Sequence, residues 1–409
     1  MGLIQRSSRR ITAAIALAGV TLGLTSAVHA DAIKTVFVIA MENHNWTQPA
    51  TDSTAPGQIF NNPNAPFLNS LINPVSPNSA QVSFTTAYHN VLATPSGSNP
   101  SIHPSEPNYI WMEAGSNLGV LSDNQPYQQP GGTNLNTTNH VSTLLSNSGK
   151  PWKSFQEDID TDAAGNVLPK SQWTSPINNR SGNYTSVANA TNGNLQFDYA
   201  AKHNPQIFFT DTNGGNDATP ANPLSSKYAP LQQLFTDLNN NTVANYNWIT
   251  PNQFNDMHTA LTGGYKGLTG DAAAIRQGDD FLAQIVPIIM ASQAYQDDGA
   301  IFLWWDESEG TNRDDFSHTL PFFVISPLAK GDAFSDSINY THSSTLRTLQ
   351  EIFGVGPFLG DAANASDLSD LFQPGVIPSG VPAPSSLSLL GLGLGLLSWA
   401  RYRRPRARH

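Results

Sequence analysis

The amino-acid sequence predicts an α/β protein, a three-layer α/β/α sandwich around a mainly parallel central sheet. Three observations carry that prediction. Apolar runs of strand length recur at 35–41, 206–210, 246–250, 300–305 and 320–326. Polar or proline-rich turns bound them. Helical patterns lie between them, at 66–72, 141–146, 228–238, 272–295 and 343–353. Strands alternating with helices argue for a parallel sheet covered on both faces.

Taken in order, the first run ends in Glu42-Asn43-His44, so a carboxylate, an amide and an imidazole arrive together at a strand end. After the helix at 66–72 comes His103-Pro104-Ser105-Glu106-Pro107-Asn108-Tyr109. A serine followed by Glu-Pro and then by residues able to continue a helix reads as an N-cap, where exposed N–H groups gather and an anion would sit well. Ser105 is therefore either a cap alone or a nucleophile placed at a helix start. The run at 246–250 is followed by Asn255-Asp256-Met257-His258, the run at 300–305 ends in Asp306-Glu307, and His342 begins the last long helix. Segments 47–64, 125–139, 160–194 and 212–226 are rich in Asn, Gly, Pro, Ser and Thr and read as surface loops, framing a substrate entrance or merely decorating the surface.

The two ends carry different signals. Residues 1–30 combine Arg6, Arg9 and Arg10 with an apolar stretch and Val28-His29-Ala30, the pattern of a secretory signal peptide, with the mature chain beginning at Asp31. Residues 31–355 form the predicted catalytic domain, and 356–380 read as a linker, part of a tether over 355–385. Residues 381–409 hold a proline motif, a short apolar run and five arginines. The run falls short of the roughly 20 residues that span a bilayer comfortably, so it reads as a short transmembrane helix held by positive-inside arginines. The whole segment resembles the PEP-CTERM sorting tag of Gram-negative bacteria, with Ala383 where Glu is usual. That resemblance implies transient anchoring at the cell envelope or surface, a membrane protease that removes the tag, and extracellular polysaccharide as a further partner.

Between these ends lie 12 basic and 31 acidic residues, a net charge of −19. Such a surface repels nucleic acid and anionic lipid. An acidic protein that acts on phosphate needs local positive charge, which a metal ion supplies economically. Cysteine is absent, so an exported chain holds itself together without disulfides.

Ligands in open α/β sheets gather outside the carboxyl ends of the strands. Carboxylates and imidazoles at those ends, with a serine at a helix start, suit divalent-metal phosphoryl transfer. The blocks 36–44, 103–109, His203-Asn204-Pro205, 255–258, 305–307 and 340–348 together resemble the phosphoesterase family of bacterial acid phosphatases and phospholipases C, within the alkaline phosphatase superfamily. The likeness covers most of residues 34–355. It implies an alkaline-phosphatase-like sandwich and hydrolysis of a phosphate ester substrate through a phosphoserine. Related nucleotide pyrophosphatases carry their nucleophile three residues before an Asn that precedes a Gly by seven, and counting from Asn108 to Gly115 selects Ser105.

By the same resemblance Glu42, Asn43, Asp306 and Glu307 join Ser105 around one metal, while Asp256, His258 and His342 match positions of a second. Asp256 and His258 are two residues apart rather than four, and Glu307 replaces a common histidine, so one or two metals remain open. Without a second metal, His258 or His342 becomes the general acid. His103 and His203 either stabilise phosphate or pack locally. Oxygen-rich ligands suit Mg, Mn or Ca, whereas imidazoles pull towards Zn or Fe. The leading expectation is an exported phosphomonoesterase. A phospholipase C-type diesterase, using Trp111, Trp304 and Trp305 against a lipid, and an inactive matrix-binding protein are the alternatives.

Overall fold

The computed structural model describes residues 33–92, 102–125, 135–185, 193–311 and 315–380, all within one compact unit. The signal peptide and the sorting tag with its transmembrane helix lie outside the described residues. Among the described residues no helix is long and apolar enough to cross a membrane.

In chain order the first elements are β1 (Thr35–Met41), α1 (Pro66–Leu71), β2 (Val82–Thr85), β3 (Tyr88–His89), α2 (Ser105–Ala114), α3 (Val141–Asn147) and β4 (Trp152–Gln156). Next come β5 (Arg180–Asn183), β6 (Gln196–Tyr199), α4 (Thr210–Asn213), β7 (Tyr228–Pro230), α5 (Gln232–Asn239) and β8 (Tyr246–Thr250). The chain continues through α6 (Gly270–Met290), α7 (Gln293–Gln296), β9 (Gly299–Trp305), β10 (Phe322–Ile325), β11 (Phe334–Asp336), β12 (Tyr340–Thr341) and α8 (His342–Phe353).

Eight strands form the central sheet in the order β11-β2-β10-β9-β1-β8-β4-β7. The neighbours from β9 to β7 are all parallel, whereas β10 runs antiparallel to both β9 and β2. Every residue of β1, β8 and β9 is buried, so both faces of the sheet are covered. The helices fall into two packed sets, α1 with α6 and α7, and α2 with α3, α4 and α8. This is the α/β architecture, with a mainly parallel sheet, that the alternating pattern predicts.

Four local expectations are corrected. Residues 206–210 are not a strand but a 3-10 turn, Pro205–Phe208, followed by α4. Pro205 presets a helical φ and removes a ladder donor, and a short apolar run by itself fits a buried turn as well as a strand. The helix expected at 228–238 is split, because Tyr228–Pro230 pairs with β4 before α5 begins. Proline is tolerated there at the sheet edge. Strand β4 escaped detection because it is polar. Its Ser154 and Gln156 are buried nonetheless, with Ser154 Oγ donating to Asn204 Oδ1 (2.9 Å) and Gln156 Nε2 to Thr250 Oγ1 (3.1 Å).

The fourth correction concerns the tether. Val355, Leu359, Ala362, Leu368, Leu371 and Phe372 are buried in the core, so this stretch is packed structure. Its anchor is the end of α2, where Asp361 N donates to Gly115 O (2.8 Å). Gly115 sits at φ 64, and a Cβ there would lie 2.2 Å from Leu359 O, so glycine is required on both counts.

The far end of α2 is held by charge. His140 is fully buried between Glu113 Oε2 and Asp211 Oδ1, each 3.0 Å away, and stacks on Phe209. Burial alone would depress its pKa, but the hydrogen bonds and charges of Asp211 and Glu113 outweigh that and raise it. A raised folded-state pKa gives stability that is full below the unfolded value near 6.5 and is lost as pH rises through the folded value. His140→Gln is therefore expected to cost about 3 kcal/mol at pH 6. Thermal melts of both proteins from pH 5 to 9 should show that gap narrowing at alkaline pH; a constant gap would refute the charged imidazole.

Candidate active site

The carboxyl edge of the sheet collects the chemistry. Strand β1 delivers Glu42, its parallel neighbour β9 delivers Asp306, and registered pairing of Met41 with Trp305 makes the two exits adjacent. The chain then turns sharply at Asn43, whose φ of 25 is unusual for any residue but glycine. Asn43 N donates to Asp306 Oδ1 (3.3 Å) and its Nδ2 donates to Glu307 Oε1 (3.0 Å) and Glu309 Oε1 (2.8 Å).

Ser105 occupies the first position of α2, and Pro104, not Ser105, is the cap residue. The expected capping hydrogen bond is absent. Ser105 Oγ instead donates to Glu42 Oε2 at 3.0 Å, and the residue is 1% exposed. A helix turn later, Tyr109 donates its hydroxyl to Glu42 Oε1 at 2.6 Å. His258 Nδ1 lies 3.4 Å from Glu42 Oε2, and His203 Nε2 lies 3.1 Å from Oε1 but off the line of a hydrogen bond. Glu42 is thus the hub that gathers serine, tyrosine and two imidazoles.

Lys202 supplies the fixed positive charge. Its Nζ lies 3.4 Å from Ser105 Oγ and donates to Asp123 Oδ2 at 3.0 Å. Burial would lower the Lys202 pKa, but Glu42, Asp123 and Asp306 override it and raise it. Burial pushes against ionisation of Glu42 as well, yet His203, the hydrogen bond with His258 and Lys202 hold it well below the usual carboxylate range. His203 is itself pushed down to about 3 by burial, so near neutral pH the lasting partners of Glu42 are Lys202 and His258. The bond to Glu42 raises His258 to about 9 against the effect of burial. About 36% of the His258 side chain is exposed, against 1% for His203 and 10% for His103.

Asp256 and His258 face the same hub through a strained turn. Met257 between them has φ 84, and Gly278 makes room for it, since a Cβ there would fall 2.2 Å from Met257 Cγ. Asp256 Oδ1 accepts from His258 N (2.7 Å), and Oδ2 lies 3.6 Å from His203 Nδ1. Burial first, then repulsion from Glu42, raises both Asp256 and Asp306 well above ordinary aspartate values. Glu307 is raised for the same leading reason and is paired with His103 through a short contact to Nδ1.

His342 is not free for the roles the sequence suggested. Indole N–H can only donate, so Trp304 Nε1 at 2.9 Å makes His342 Nδ1 the acceptor, and Nε2 must carry the proton it directs at Asp306 O, 2.6 Å away. Burial pushes its pKa down to about 3. In this arrangement the imidazole props the loop behind Asp306. Trp111, Trp304 and Trp305 are 3%, 0% and 0% exposed, which removes them as a lipid-contacting surface.

Among the described residues, no three His, Cys, Asp or Glu side chains converge closely enough to cage a cation. The donor set nevertheless fits a hard divalent ion. Asn43 Oδ1, Asp306 Oδ2 and Asp256 Oδ2 are buried oxygens without a hydrogen-bond partner, and Glu42 Oε2 lies beside Ser105 Oγ. Four buried carboxylates with one lysine among them leave a charge deficit that such an ion would fill.

Lys202, Tyr109 and Asp123 were missed from sequence. Tyr109 had a signal, because an i,i+4 spacing puts it on the face of Ser105. Lys202 had only its adjacency to His203, and Asp123 had none.

A serine hydroxyl held by a buried carboxylate and flanked by an ammonium group suits a hydrolase. Residues 98–356 match the model of the phosphoesterase family, and the chain belongs to that family. It is a hydrolase acting on phosphoric ester bonds. It is 26% identical to a phosphatidylinositol-3-phosphatase of Mycobacterium tuberculosis, over 77% of this chain and 78% of the relative. It is 27% identical to a probable acid phosphatase of Kluyveromyces lactis over 66% of this chain, and spans only 55% of that protein. The phosphonate monoester hydrolase of Agrobacterium radiobacter superposes with a TM-score of 0.41 at 13% identity, over 84% of this chain and 78% of the other.

Lys202→Met should lower kcat for an aryl phosphate about 100-fold, the scale of losing one electrostatic contact at a reacting oxygen. Steady-state rates on folded variant protein check this; an unchanged kcat would remove Lys202 from the chemistry.

Proposed function

We propose that the protein is an exported, metal-dependent phosphomonoesterase that works through a phosphoserine on Ser105. The observation that carries this reading is the Ser105 Oγ hydrogen bond to buried Glu42, with Lys202 Nζ 3.4 Å from the same oxygen. Both named relatives are phosphatases, which supports a monoester substrate. The burial of the three tryptophans takes away the feature that favoured a lipid diester.

Glu42, Asn43, Asp306 and Glu307, with Ser105, would hold one divalent cation, which when bound lowers the serine pKa and binds phosphate oxygens. Glu42 orients the hydroxyl, and Lys202 stabilises negative charge on Oγ as its proton leaves towards solvent. Ser105 Oγ then forms a bond to phosphorus while the ester P–O bond breaks opposite it. His258, the exposed imidazole of the group, gives its proton to the departing alkoxide. Once neutral, it takes a proton from the water that releases phosphate from the serine. His103, fixed between Glu307 and Asn90, orients the Glu307 carboxylate. His203 stacks on Tyr109 at 5.1 Å and backs the hub. Export rests on residues 1–30, and predicts a mature N-terminus at Asp31.

Three measurements test this. Ser105→Ala should lose at least 1000-fold in turnover of an aryl phosphate, and acid quenching of the wild type should trap phosphate on Ser105 by mass spectrometry. Retained turnover would sink the serine assignment. Chelation should abolish activity and add-back of Mg2+, Mn2+ or Ca2+ restore it; full activity after exhaustive chelation would overturn the metal requirement. His258 must be protonated to act as the acid, so kcat should fall as pH rises. The midpoint should lie at or below about 9, because a bound cation lowers that pKa further. His258→Gln should lose that alkaline limb.

A further inference from the structure

A cavity of about 350 Å3 opens against the β5–β6 hairpin, a size within the range of small-molecule sites. Its walls include Ser181, Asn183, Phe197, Asp198, Phe254 and Thr262. Three chain segments build it, β5, β6 and the loop 254–262, and the last two run into the chemistry. Strand β6 leads four residues past Asp198 to Lys202, at most about 14 Å for extended chain. Phe254 and Thr262 bracket the stretch that carries Asp256 and His258.

The walls are locked together. Gln196 Nε2 donates to Thr262 O (3.2 Å) and its Oε1 accepts from Thr262 N (3.2 Å). Gln253 Nε2 donates to Asp198 Oδ2 (2.8 Å), and Gln253 N donates to Asp198 O (3.0 Å). Phe197 is pinned over Gly182, where a Cβ would come within 2.8 Å of its ring, and packs on Tyr184 with centroids 5.0 Å apart. The cavity thus offers two placed aromatic rings, hydroxyl and amide groups, and one carboxylate.

We propose that this cavity receives the alcohol portion of the phosphate ester, and that the alcohol is a neutral polyhydroxylated ring, a hexose or a cyclitol. This rests on the phosphomonoesterase reading, in which His258, four residues along the chain from both Phe254 and Thr262 of the cavity wall, protonates the leaving oxygen. The aromatic rings match the C–H face of such a ring. Asn183, Ser181 and Thr262 can both donate to and accept from hydroxyls, and Asp198 accepts from a pair of them. Among the described residues lining the cavity there is no lysine or arginine, and Asp198 repels anions. A second phosphate or a nucleotide is therefore disfavoured, and two rings cannot cover an acyl chain.

The test uses Asn183→Trp, which fills the cavity from an exposed position, and Phe197→Ala, which removes a wall. Each should lower kcat/KM for glucose 6-phosphate and a cyclitol monophosphate at least tenfold while holding methyl phosphate turnover within twofold. Equal losses on all three substrates, or no loss on any, would overturn the assignment. Saturation-transfer NMR with free glucose and free cyclitol supplies a readout independent of catalysis. Binding by the wild type that Asn183→Trp removes supports the cavity even if no ester is turned over, which would count against the phosphatase reading alone. No binding to the wild type would overturn the cavity proposal even if aryl phosphate is hydrolysed.

Discussion

Negative charge buried at one edge of a sheet is the constraint around which this protein is organised. Glu42, Asp256, Asp306 and Glu307 all lie out of water, and an unpaired carboxylate there costs several kcal/mol. Each buried oxygen must find a donor, a proton or a cation. Glu42 finds Ser105, Tyr109, His258 and Lys202, and stays ionised. Asp306 and Asp256 each keep one oxygen unpartnered and hold their protons more tightly.

The scaffold serves that arrangement. Parallel pairing of β1 with β9 sets Glu42 and Asp306 side by side, and the turn at Asn43 folds an amide against both following carboxylates. Helix α2 brings Ser105 to Glu42. Its far end is fixed twice, by the Glu113–His140–Asp211 charge cluster and by the contact of Gly115 with the 359–361 turn. Helix α8 contributes His342, whose two engaged nitrogens tie Trp304 and the Asp306 carbonyl together. Ser105 therefore sits on a helix that cannot slide along the sheet edge without breaking buried polar contacts.

The cavity and the candidate site share two connections. The strand that walls the side cavity continues into Lys202 and His203, and the loop that closes it carries Asp256 and His258. Lys202 is the lysine placed beside Ser105, in a body whose formal net charge is −19.

Much of the fold was legible in the sequence, because β1, β8 and β9 are apolar throughout and both their faces are buried; periodicity reports burial directly. Strand ends named Glu42, Asn43, Asp306, Glu307, Asp256 and His258, since ligands collect at the carboxyl edge of such sheets. The sequence could not tell that Ser105 leaves its capping role to Pro104, or that β4 is a strand, because those outcomes depend on partners far along the chain. Lys202, Asp123 and the fixed tautomer of His342 belong to the same group. A lysine three residues past the end of a strand, or a histidine at a helix start, carries no local mark of what it will face. Local pattern determined which segments are buried and where their ends lie; only the tertiary structure decided which polar atoms meet there, because a hydrogen bond is settled by distance and direction between residues the chain keeps far apart.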